Sequence, residues 1–126
     1  AEELYSTCHI VSLHIPATPE TKGSINKALL SRMPKGAVLV NTARKEDINE
    51  EELIQFMQEH KDFVYMTDVM PAADQKMREL FVERYFATPK KMGAQTAEAN
   101  INAGIAAAKQ IVDFFENGVT KFQVNK

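Results

Sequence analysis

Four short apolar runs each end in a cluster of polar residues, and those clusters are where chemistry is expected. The first closes on His14, Pro16 and Thr18. The second closes on Asn41, Thr42 and Arg44, the third on Asp68, and the fourth on Thr88, Pro89, Lys90 and Lys91. One arginine and two lysines converging on a single edge make a charged rim of the kind that holds a ligand. Metal chemistry is not expected. The lone cysteine, Cys8, excludes an internal disulfide and any Cys-based zinc site. His9 and His14 stand an odd number of residues apart, so a strand turns them to opposite sides and they make no metal pair. His60 falls near a helix C-terminus, where it partners the helix dipole. The glycines, at 23, 36, 93, 104 and 118, are too far apart for a G-x-G-x-x-G turn or a P-loop. A charged rim without that cradle means either that half of a nucleotide site lies elsewhere or that no nucleotide binds.

The elements that must position these groups follow from the hydrophobic pattern. Residues 9–15 (HIVSLHI), 37–40 (AVLV) and 63–66 (FVYM) are short, β-branched or aromatic runs that fit strands. AVLV reads as buried on both faces, as in a parallel sheet. A fourth strand is expected around Phe86 and Ala87. Between them Asn26 caps KALLSR, which stops at Met33-Pro34-Lys35-Gly36. Asn49 caps a second helix whose first turn carries Glu50, Glu51 and Glu52, with Glu52 placed to complete a capping box. Leu53, Phe56 and Met57 form its apolar stripe. Residues 74–85 fit either a short helix or a packed loop. A long helix is expected over about 96–117, with Ile101, Ile105, Ala108, Val112 and Phe115 on one face and Gly118 as its stop. The order β-α-β-α-β-(α)-β-α predicts an α/β fold with a mainly parallel sheet and right-handed crossovers. Ligands in such sheets bind outside the carboxyl ends of the strands, which is where the polar clusters fall.

Composition narrows the partners. Fifteen Lys and Arg against seventeen Asp and Glu give a net charge of −2, which argues against nucleic acid. The apolar runs reach only about four residues, far short of the roughly 20 that span a bilayer, so no membrane partner is expected. The acidic, polar start does not resemble a signal peptide. A reducing, cytoplasmic compartment is the expectation.

HIVSLHIPATPETKGSINKALLSRMPKGAVLVNTAR, then a DV dipeptide, then TPKKMGAQTAEAN, resembles the carboxyl-terminal part of the D-isomer-specific 2-hydroxyacid dehydrogenases. The similarity covers nearly the whole chain, in order. The lysines after TP and the GAQTAEAN stretch resemble a lysine-bearing subgroup that oxidises 3-phospho-D-glycerate. The resemblance implies part of a Rossmann-type parallel sheet, the second half of an NAD-binding domain over residues 1–95. It also implies a C-terminal helix and tail over residues 96–126 that return toward a substrate domain. It further implies NAD as cofactor, a small 2-hydroxy acid as substrate, a homodimer at full length, and a step in serine synthesis.

By the same resemblance, His14, Pro16, Thr18 and Thr21 lie along the cofactor, Thr42 and Ala43 offer carbonyls to the nicotinamide side, and Asp68 accepts from the carboxamide. Arg44 grips the substrate carboxylate, a task suited to its planar fork of donors. Three departures stand out. Lys45 replaces the glycine after the arginine, Ala73 takes the place of a catalytic glutamate with Asp74 beside it, and Lys90-Lys91 replaces the usual histidine with one extra residue. Alignment from Met92-Gly93 makes Lys91 the base, with Lys90 the alternative. The other function these departures allow is a non-catalytic, NAD-sensing interaction module.

Overall fold

The computed structural model describes residues 1–89 and 96–125. The chain divides into two compact units, Ala1–Lys91 and Met92–Lys126. The first runs α1 (Glu2–Thr7), β1 (Ile10–Leu13), α2 (Lys27–Leu30), β2 (Val38–Asn41), a 3-10 turn (Lys45–Asp47), α3 (Glu50–Glu59), β3 (Val64–Thr67), α4 (Asp74–Leu80) and β4 (Tyr85–Ala87). The four strands are parallel and lie in the order β1-β2-β3-β4. The ambiguous segment after 74 is therefore a helix. The short α1 is an addition to the sequence reading: it has no side-chain cap and buries only Tyr5.

The core lies on one side of the sheet. Val11, Leu13, Leu39, Tyr65, Tyr85 and Ala87 face inward and join Leu30, Leu53, Phe56, Met57 and Met77 from the helices in one cluster. Alternate strand residues face out, with Ile10 67%, Met66 42% and Phe86 59% exposed. This corrects the expectation for AVLV: Leu39 is buried, whereas Val38 and Val40 are only half-buried. The reason is topological. Strands that step one way across a sheet with crossovers of one hand put every connecting helix on the same side.

Local chemistry accounts for the helices. Asn26 accepts from the Leu29 N–H (2.9 Å) and Asn49 from the Glu52 N–H (3.2 Å), so both caps form as expected. The capping box closes differently. The Asn49 N–H is taken by the Ile25 carbonyl, and the Glu52 carboxylate instead accepts from Asn49 Nδ2 (3.0 Å) and from the Lys27 N–H (2.8 Å), linking α3 to α2. At the other end of α3, Arg84 Nη1 donates to the carbonyls of Met57 and His60, orphan acceptors of the helix end, and to that of Phe63 in the turn before β3.

The second unit consists of α5 (Ala97–Asn117) and its tail. Thr96 accepts from the Ala99 N–H (3.1 Å), and Gly118 ends the helix at φ 63°, a left-handed conformation that glycine adopts without a Cβ clash. None of its residues is buried. No described helix is long and apolar enough to cross a membrane.

Candidate active site

The register of the sheet builds the site. Leu13, Asn41, Thr67 and Ala87, the last residues of the four strands, pair in one straight row. The next row is His14, Thr42, Asp68 and Thr88, which are exposed or half-buried where the row before them is buried. Backbone hydrogen bonds carry the pairing into it, from the Asp68 N–H to the Asn41 carbonyl (3.2 Å) and from the Thr88 N–H to the Thr67 carbonyl (3.1 Å). Thr42 Oγ1 donates to the Leu13 carbonyl (3.4 Å). Four of the residues singled out in sequence thus share one line across the carboxyl edge.

Arg44 follows immediately and is exposed, with Nη1 donating to the carbonyl of Ala43 (2.8 Å). That carbonyl, expected on the nicotinamide side, is in this conformation engaged by the arginine. Lys45 opens the 3-10 turn, whose φ is of the ordinary negative sign, so the missing glycine costs nothing at this point. Asp68 has a buried carboxylate oxygen, Oδ1, with no hydrogen-bond partner among the described residues. A buried acceptor left unpaired is costly, and an N–H donor from a ligand would relieve it.

The first rim segment is held by its own threonines. Thr21 Oγ1 accepts from the Thr18 N–H (2.7 Å) and donates to the Pro16 carbonyl (2.6 Å), closing the loop after β1. These groups shape the loop, and Thr21's hydroxyl is spent on it. His14 Nε2 pairs with Ser12 Oγ (2.9 Å) on the outward side of β1. Lys90 and Lys91 lie outside the described residues. Among the described residues no three His, Cys, Asp or Glu side chains gather as a metal site.

Two residues that matter here were not marked in sequence for what they do. Glu50, at the start of α3, accepts from the N–H groups of Ala72 (3.0 Å) and Ala73 (2.9 Å), and so holds the turn that leads into α4. Its carboxylate thus rests on the backbone of Ala73, the residue expected where the resembled family carries its glutamate. The nearby Asp74 is committed elsewhere: Arg78 Nε donates to both its oxygens and Tyr85 Oη donates to Oδ1 (2.7 Å). Arg78 holds the Asp74 carboxyl below its ordinary range, and burial, aided by Asp74, pushes the Tyr85 phenol up. The second unmarked residue is Asn41, fully buried at the end of β2, where its side chain holds the turn that carries Arg44.

A family model described as D-isomer specific 2-hydroxyacid dehydrogenase, NAD binding domain, matches residues 1–90. The chain belongs to this family. Among the dehydrogenases it resembles, the D-3-phosphoglycerate dehydrogenase of Haemophilus influenzae is 35% identical over 130 residues, covering 98% of this chain and 32% of that protein. The hydroxypyruvate reductase of Thermotoga maritima is 34% identical over 122 residues, covering 94% of this chain and 39% of that protein. The chain therefore spans 32% and 39% of the length of these two curated relatives. A crystal structure of NAD+-bound 3-phosphoglycerate dehydrogenase from Entamoeba histolytica superposes with a TM-score of 0.84 at 54% identity, over 99% of this chain and 41% of that one. The parallel sheet is thus the Rossmann-type sheet of an NAD-binding dehydrogenase domain. A groove of about 550 Å³ lies within the second unit, lined by Ile111, Phe114, Val119 and Phe122 among others.

Proposed function

We propose that this chain supplies the nicotinamide side and the substrate-carboxylate anchor of an NAD-dependent D-2-hydroxyacid dehydrogenase, acting on 3-phospho-D-glycerate in serine synthesis. The observation that carries this reading is the pairing of Arg44, exposed just past β2, with the unpaired Asp68 Oδ1 one strand away. A guanidinium fork matches a carboxylate, and a buried acceptor matches the amide N–H of a nicotinamide. NAD, when bound, supplies the hydride acceptor. Asp68 orients the carboxamide, and His14, Pro16, Thr18, Thr42 and Ala43 line the cofactor's side of the rim. Arg44 holds the substrate carboxylate. Lys91, or Lys90 if the alignment runs from Pro89, takes the hydroxyl proton. A glycine-rich pyrophosphate turn is not encoded in these residues, so the complete site and its homodimer belong to the full-length protein.

The test is turnover by the full-length protein with 3-phosphoglycerate and NAD. Arg44→Ala is expected to lower kcat/KM by about 10²–10³-fold, the scale of one lost charge-stabilising donor group, with NAD binding retained. Undiminished turnover in Arg44→Ala would remove the anchor. Ala73, standing where the family carries its glutamate, favours one other outcome. NAD binding with no turnover of any 2-hydroxy acid would make the protein a cofactor-sensing module.

A further inference from the structure

We propose that Asn41 is a positioning residue that holds Arg44 in register with Asp68. The proposal rests on the roles given to those two residues above and adds the element that sets their spacing. Asn41 is completely buried, and each polar atom of its side chain is used on the turn it precedes. Oδ1 accepts from the Ala43 N–H (3.0 Å), and Nδ2 donates to the Arg44 carbonyl (2.9 Å). An asparagine bonded in this way to backbone two and three residues on imposes a turn. It therefore dictates where the Arg44 side chain leaves the main chain. Nδ2 also reaches Tyr65 Oη at 3.4 Å, a longer contact that ties the turn to the neighbouring strand.

The backbone of the same residue serves the other half of the site. The Asn41 carbonyl accepts from the Asp68 N–H (3.2 Å) and lies 2.9 Å from Thr67 Oγ1. One residue thus carries the arginine's turn on its side chain and the aspartate's backbone on its main chain. A ligand pair held by Arg44 and Asp68 has its relative placement set at Asn41. Hydride transfer is sensitive to such placement, because a misplacement of about 1 Å in a near-attack arrangement costs on the order of 10²-fold.

A double-mutant cycle in the full-length protein distinguishes positioning from general support of the fold. Asn41→Ala is expected to raise KM for 3-phosphoglycerate and lower kcat, reducing kcat/KM by about 10–100-fold, while NAD affinity changes little. In an Arg44→Ala background the same replacement should cost almost nothing, since there is no longer a guanidinium to place. Additive losses, or a loss of NAD affinity as large as the loss of kcat/KM, would overturn the proposal. If Asn41→Ala does not fold, the cycle is run with Tyr65→Phe, which removes only the hydroxyl that the amide reaches. A few-fold loss that vanishes without Arg44 supports the proposal, and an additive loss or none overturns it. Arg44→Ala with full turnover is a separate result, because it removes the anchor itself rather than its positioning.

Discussion

Within this four-stranded sheet, the two inner strands and the two outer ones that flank them end differently. β2 and β3 finish on Asn41 and Thr67, both polar and both buried, and each folds its side chain onto the loop that follows. β1 and β4 finish on Leu13 and Ala87, which have nothing to offer a loop. Their exits are held from elsewhere, by Thr18 and Thr21 within the loop after β1 and by Arg78 Nη2 on the Ala87 carbonyl (3.0 Å). The lesson concerns cost. A buried polar side chain needs all its partners to be tolerable, and this domain places such groups where they brace the turns holding Arg44 and Asp68. The outer exits use exposed or half-buried groups, whose loss is cheaper.

The largest expected effect belongs to a residue that follows an outer strand in sequence. Lys91→Ala in the full-length protein should lower kcat by about 10²–10⁴, the usual weight of a general base, with NAD affinity nearly unchanged. Near-wild-type turnover in both the Lys91→Ala and the Lys90→Ala variants would show that neither lysine after β4 supplies the base and confine the chemistry to the inner exits. Alkali tests the packing behind both kinds of exit. The chain has three tyrosines, and burial is the first cause raising each phenol: Tyr5 to about 12, and Tyr65 and Tyr85 also upward. A raised folded pKa favours the neutral phenol, so this stability is complete below the unfolded value of about 10 and is lost as pH climbs through the folded values. Tyrosinate absorbance should stay flat through pH 10 and then rise together with loss of circular dichroism. Independent, gradual ionisation near pH 10 would contradict the burial.

Two conservative replacements sharpen the contrast directly. Thr67→Val, at an inner exit, strips a partner from the Val69 N–H and should cost about 1–3 kcal/mol by denaturant unfolding, the penalty of an unmet buried group. Thr21→Val, at an outer exit, removes two hydrogen bonds whose partners water can reach and should cost about 0.5–1.5 kcal/mol in all, the net scale of an ordinary hydrogen bond. A Thr21→Val loss equal to or larger than that of Thr67→Val would erase the distinction.

Much of this was legible in sequence because it is local. The strands, the Asn26 and Asn49 caps, the Thr96 and Gly118 boundaries of α5, and the convergence of His14, Thr42, Asp68 and Thr88 on one edge follow from periodicity and the rule for parallel sheets. What escaped depends on contacts between distant residues. Glu50 reads as one of three acids in a helix's first turn, and nothing local says that it reaches the backbone of Ala72 and Ala73. Glu52 satisfies the capping-box spacing, yet its carboxylate goes to Lys27. AVLV looks buried on both faces because apolar identity does not say which sides of a sheet carry helices. Asn41 left a usable signal: two residues after Leu39 it has the inward phase of the strand, and an amide there must be fully partnered.

The flush ending of the four strands also bears on how this domain can change length. Every rim residue owes its position to a count of residues along its strand. Inserting or deleting one residue inside β1, β2, β3 or β4 moves its exit by about 3.3 Å and turns its side chains to the other face. A single-residue insertion between Val38 and Asn41 would replace Asn41 in the row and carry Arg44 away from Asp68. The turns entering the strands, such as Met33-Pro34-Lys35-Gly36 before β2, lie at the opposite edge and set no such count. Length variation in this domain is therefore expected to collect at the amino ends of the strands and in the crossovers, leaving the interval from each strand's first pairing to the rim unchanged.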